Sequence, residues 1–79
     1  MKLPRGLSGD ELVAALKQLG YRQTRQTGSH VRMTLSSPRE GHLTVPLARA
    51  IPLGTLAALV KDAAAQLHTT LDDVLWKLR

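Results

Sequence analysis

The residues best suited to chemistry lie in one stretch, residues 27–33, which read TGSHVRM. His30 follows directly on a Gly28-Ser29 pair, and Arg25 and Arg32 flank it. An imidazole titrates near pH 6.5, so it takes or gives a proton at cellular pH. Glycine lets backbone approach a ligand closely, and turn amides form anion-binding nests. Two guanidinium groups bring positive charge to the same place. A base beside phosphate-binding groups is what RNA strand cleavage needs. The 2′-OH loses its proton as it attacks the adjacent phosphorus. The phosphorane that forms carries extra negative charge, which arginine or backbone amides stabilise. A positioned acid–base group contributes roughly 10²–10⁴-fold. The competing reading is an exposed strand histidine after an ordinary turn, and residue types and spacing alone leave both open.

His42 is a candidate for the second proton transfer, protonating the leaving 5′ oxygen. Its place relative to His30 depends on hairpin register, so a loop-edge histidine is the alternative. His68 falls between two expected helices and reads as a capping or surface residue. Ser29 has no Asp-His arrangement visible around it, which favours a turn residue over a nucleophile. Asp10 and Glu11 look like helix-start acids, not a catalytic carboxylate pair. Three scattered histidines and no cysteine make no ligand cluster, so neither a metal nor another cofactor is expected. Lys2, Arg5 and Lys17 either extend a basic surface or are simply solvated.

The elements that must position these residues follow from spacing. Ser8 and Glu11 have the S-x-x-E pattern of a capping box. Leu12, Val13, Leu16 and Leu19 then recur at helical spacing, and Gly20 stands where a helix-ending glycine belongs. A helix is expected from about Gly9 to Leu19. The polar run from Tyr21 to Gln26 suits an edge strand. Gly28-Ser29 marks a turn. Val31, Met33 and Leu35 alternate with His30, Arg32 and Thr34; Leu43 and Val45 alternate with His42 and Thr44. Period two gives each strand one apolar and one polar face. SSPREG is a loop by composition, and Pro46 closes the third strand.

PLARAIPLGT reads as a loop with Thr55 as N-cap of a helix whose stripe is Leu56, Leu59, Val60, Ala63 and Leu67. Thr69 or Thr70 then caps a short last helix with the stripe Leu71, Val74, Leu75 and Leu78, which is expected to pack on the sheet. The order is α-β-β-β-α plus a short C-terminal helix: an α+β sandwich, a three-stranded antiparallel sheet with helices on one face. The open face then carries His30, Arg32, Thr34, His42 and Thr44.

Composition agrees with one small domain, residues 1–79. A chain of this size buries about 60% of its unfolded surface. The net charge of +5 favours an anionic partner, nucleic acid first. Tyr21 and Trp76 are the only aromatics, which speaks against a base-stacking platform. The start MKLPRGLSGDEL lacks the apolar region of a secretory signal, and no apolar run approaches the ~18 residues of a membrane span. A cytoplasmic location is the expectation, with no membrane partner.

The pieces SGDELV, LGY, GSHVRM, TVPL and GTL, in that order, resemble the HicA toxin family over nearly the whole chain. The resemblance implies a fold like a double-stranded RNA-binding domain. It implies a toxin that cleaves mRNA without metal, as the endoribonuclease of a type II toxin–antitoxin system. It also implies a hetero-oligomer in which a HicB-like antitoxin holds the enzyme inactive. The family's Gly-Ser-His motif falls on Gly28, Ser29 and His30, with the histidine catalytic. Arg25 and Arg32 would then help bind the substrate. One stretch departs: DAAAQLHTTLDDVL is longer than usual and lacks the Ala-Gly pair near which the family turns. A non-catalytic double-stranded RNA-binding module of the same fold is the alternative, and a structural partner for an acidic protein a further one.

Overall fold

A computed structural model describes residues 3–78. Lys2 and the terminal Arg79 lie outside the described residues. The elements are α1 (Gly9–Gln18), β1 (Arg22–Thr27), β2 (His30–Leu35), β3 (Gly41–Pro46), α2 (Leu53–Gln66) and α3 (Leu71–Lys77). The strands form one antiparallel sheet in the order β1-β2-β3. The molecule measures 31 × 30 × 18 Å, and the short axis is one helical layer on one sheet.

The expected α1 forms for the expected reasons. Ser8 Oγ accepts from the Glu11 N–H at 3.1 Å, and the Ser8 N–H donates to the Glu11 carboxylate at 2.9 Å. Those bonds hold the Glu11 carboxyl below its ordinary value, through the backbone bond first and the side-chain bond second. At the other end the Gly20 N–H donates to the Lys17 carbonyl and the Tyr21 N–H to the Leu16 carbonyl, with Gly20 at φ +108°. That is a Schellman closure, and glycine adopts its left-handed residue without steric cost.

Val31, Met33, Leu35, Leu43 and Val45 are buried against Leu12, Leu16, Leu56 and Val60. Between them, the residues of β2 and β3 on the other face are exposed or half-exposed. Gly9 fixes where α1 meets the sheet. Its N–H donates to the Ala48 carbonyl at 2.9 Å, and a Cβ there would overlap the Pro46 carbonyl oxygen and sit 2.6 Å from Leu47 Cα.

Two expectations are corrected. Helix α2 starts at Leu53, not after Thr55: the Pro52 carbonyl accepts the first helical bond, from the Leu56 N–H at 2.9 Å, with no side-chain cap. Thr55 is therefore inside the first turn. Helix α3 packs principally on α2 and not on the sheet, adding Val74, Leu75 and Leu78 to the core. The cause is the reversal at the end of α2. The His68 N–H donates to the Ala65 carbonyl and the Thr69 N–H to the Ala64 carbonyl, with His68 at φ 54°. This is the same closure that Gly20 makes, so His68 does cap, but through its backbone. Thr70 then caps α3 by accepting from the Asp73 N–H. Lys17 lies exposed in the last turn of α1, where it complements the helix dipole.

Candidate functional site

The loop between β1 and β2 is two residues long, flanked by the pair Thr27↔His30. Gly28 has φ +57°, whereas Ser29 is not in the left-handed region. A positive φ at the first loop position only is the pattern of a type II′ hairpin turn, where glycine is preferred. A Cβ on Gly28 would meet nothing within 4 Å, so the backbone angle, not space, demands glycine. The Ser29 carbonyl accepts from the Leu47 N–H at 2.6 Å, which ties the turn to the chain leaving β3. His30 opens β2 opposite Pro46, beside the contact that Gly9 makes. Its side chain is on the exposed face, as alternation predicts.

Arg32 is two residues along β2 and also exposed. Its partner across β1 is Arg25. Two like charges directly opposite cost a sheet roughly 0.2–1 kcal/mol. No strand residue is acidic: β1 is RQTRQT, β2 HVRMTL and β3 GHLTVP. The acids are on the helices, apart from Glu40 in the β2–β3 loop. The face is thus a positive surface without internal neutralisation in its own strands.

A bulge in β1 adds residues that spacing could not reveal. The register shifts between Gln23 and Arg25, so Thr24 is the extra residue. Strict alternation would put Arg22 and Arg25 on opposite faces. With the bulge, Arg22 pairs with Thr34 and Arg25 with Arg32, both on the open face. Bulges re-aim side chains in this way. Thr24 itself reaches the open face, with Oγ1 at 2.7 Å from Thr34 Oγ1 and 3.4 Å from the Arg32 carbonyl, either of which can accept its proton. Every residue of β1 is exposed, so no apolar side chain marks its register in the sequence.

His42 shares the face but not the neighbourhood of His30. It pairs with Thr34, whereas His30 pairs with Pro46. Four residues of rise along β2, roughly 13 Å, separate the two positions. Two imidazoles that far apart do not meet on one phosphodiester. His42 is anchored instead: its Nδ1 lies 3.1 Å from Thr34 Oγ1, and its carbonyl accepts from Gln66 Nε2 at 3.0 Å. Gln66 Oε1 in turn accepts from the Tyr21 hydroxyl at 2.6 Å. Burial pushes the Tyr21 phenol up to about 12, with the Asp62 charge adding to it. Among the described residues no group of three or more histidines and acids could hold a metal ion, and no helix is long and apolar enough to cross a membrane.

Fold and face together define a small two-layer α+β domain with a basic, acid-free sheet surface around a turn-borne histidine. Residues 9–65 match the family model described as HicA toxin of bacterial toxin–antitoxin systems, and the chain belongs to that family. No curated protein and no solved structure matches it.

Proposed function

We propose that this toxin is a metal-independent endoribonuclease that cleaves mRNA, with His30 as its acid–base residue. The observation that carries this is the position of His30: it leaves a II′ turn onto an acid-free strand face, two residues from a directly opposed Arg25–Arg32 pair. His30 takes the proton of the 2′-OH as the O2′–P bond forms. Arg25 and Arg32 stabilise the phosphorane. The P–O5′ bond then breaks, and the His30 imidazolium returns the proton to the 5′ oxygen. The products are a 2′,3′-cyclic phosphate and a 5′-hydroxyl end. Gly28 and Ser29 shape the phosphate site through their backbone.

Such an enzyme acts in the cytoplasm, where its substrate is, and needs restraint. A HicB-type antitoxin with an acidic surface would cover the basic face and His30, complementing its charge in a hetero-oligomer. Titrating that antitoxin against nuclease activity tests occlusion; full activity in the saturated complex would sink it.

His30→Ala is expected to lose cleavage by roughly 10²-fold or more while remaining folded and RNA-bound. The assay is RNA cleavage in EDTA, parent and variant side by side. Cleavage by the variant at the parent's rate removes His30 from the mechanism. Binding by the parent with steep salt dependence and no cut products favours a non-catalytic RNA-binding module instead.

A further inference from the structure

We propose that His42, Thr34 and Thr24, with Arg22 beside them, form a second nucleotide-binding subsite on the RNA track, and that His42 positions substrate and does not transfer the second proton. This rests on the reading of the sheet face as the RNA-cleaving surface. Three observations carry it. The register separates His42 from His30 by roughly 13 Å of strand rise. A stacked strand advances about 3.4 Å per nucleotide, so RNA crossing both residues passes about four nucleotides, fewer where it is unstacked. His42 therefore meets a neighbouring nucleotide and not the scissile phosphate.

The second observation is how firmly His42 is held. Thr24, Thr34 and the imidazole Nδ1 form a continuous hydrogen-bonded chain, at 2.7 and 3.1 Å. The strand beneath is pinned by Gln66 on the His42 carbonyl, and Gln66 lies against the bare Cα of Gly41. A ring fixed at Nδ1 keeps Nε2 for a ligand. The hydroxyl chain runs in either direction. If Thr24 donates to the Arg32 carbonyl, Thr34 donates to Thr24, Nδ1–H donates to Thr34, and Nε2 is an acceptor. If Thr24 donates to Thr34, Thr34 donates to Nδ1 and Nε2–H is a donor. Such a ring stacks on an unstacked base and bonds its edge or sugar, as single-stranded RNA sites do.

The third is the bulge. By looping out Thr24 it brings Arg22 opposite Thr34, which sets a phosphate-binding charge across the sheet from His42, with Thr34 between them and roughly 10 Å from strand to strand. Each end of the face then has one histidine and its own positive charge, Arg22 across Thr34 from His42 and the Arg25–Arg32 pair two residues along from His30.

The test measures single-stranded RNA affinity on the His30→Ala background, where cleavage does not interfere. Adding His42→Ala is expected to weaken binding about tenfold. Adding Thr34→Val, which frees the ring but keeps its shape, is expected to weaken it severalfold. In the His30-containing protein, His42→Ala should raise KM and leave kcat and its pH profile unchanged. Equal affinity with and without His42, or no RNA binding by either protein, overturns the proposal. A collapse of kcat with loss of one limb of the pH profile also overturns it, because His42 would then be the second proton-transfer group. A parent that fails to cut RNA defeats the nuclease reading alone, since the affinity comparison still reports on the subsite. Circular dichroism of each variant separates a lost contact from a lost fold.

Discussion

The Arg25–Arg32 pair costs the fold and serves an anion. Two guanidinium groups opposite one another repel until something negative lies between them. Arg25→Thr should therefore raise stability by about 0.5 kcal/mol, read as a urea midpoint, while weakening RNA affinity. A variant that loses both stability and affinity would mean that Arg25 packs and does not merely charge the face. Tyr21 behaves in the opposite way, as a buried group that supports the fold. An exposed phenol titrates near 10. Burial, and then the Asp62 charge, move it to about 12 in the folded chain, so folding favours the protonated form. That contribution is complete below about pH 10 and is lost as pH rises from about 10 through about 12. Tyr21→Phe should flatten this alkaline loss of stability, while costing about 1 kcal/mol at neutral pH because Gln66 Oε1 loses its donor.

At the scale of elements, the two helix endings invite comparison. Both α1 and α2 close by the same pair of backbone bonds, but one uses Gly20 and the other His68. A left-handed conformation costs an L-residue roughly 1–2 kcal/mol that glycine does not incur. His68→Gly should accordingly stabilise the protein by about 0.5–1 kcal/mol, after the greater chain entropy of unfolded glycine is subtracted, and raise the melting temperature by a few degrees. An unchanged or lower melting temperature would show that the imidazole itself holds the turn. The stretch DAAAQLHTTLDDVL, which lacks the Ala-Gly pair, thus makes at His68 the closure that Gly20 makes at the end of α1.

The same elements show what was legible beforehand. The capping box of Ser8 and Glu11, Gly20, and the alternation in β2 and β3 each have a chemical signature, and each landed where expected. The bulge at Thr24 had none, because RQTRQT offers no apolar residue whose burial would betray the register. Arg22 therefore has no mark in the sequence that places it on the open face, and the separation of His42 from His30 rests on the β2–β3 register, which alternation does not fix. The start of α2 is not legible either: Thr55 resembles a cap, whereas the N-cap is Pro52, which offers no side-chain acceptor.

On the scale of the whole molecule, the acids are sorted by layer. The strands carry three arginines and no acid, whereas on the helices Asp10, Glu11, Asp62, Asp72 and Asp73 outnumber Lys17, Lys61 and Lys77. Polyanions are then drawn preferentially to the sheet. If Arg22, Arg25 and Arg32 each neutralise one phosphate, log affinity for single-stranded RNA should fall with log salt at a slope of about −2, and each arginine-to-alanine change should reduce that slope by about 0.7. A slope that Arg22→Ala leaves untouched would take Arg22 off the track. The bond from the Leu47 N–H to the Ser29 carbonyl, seen earlier as a local tie, has a consequence at this scale too. With Gly9 wedged against Pro46, it joins the hairpin tip, the third strand and the first helix at one junction. Loops commonly open on their own, below the free energy of global unfolding. Tied at Ser29 to the chain leaving β3, the tip that carries His30 is expected to open with that junction and not by itself, which slow amide exchange at Leu47 would show.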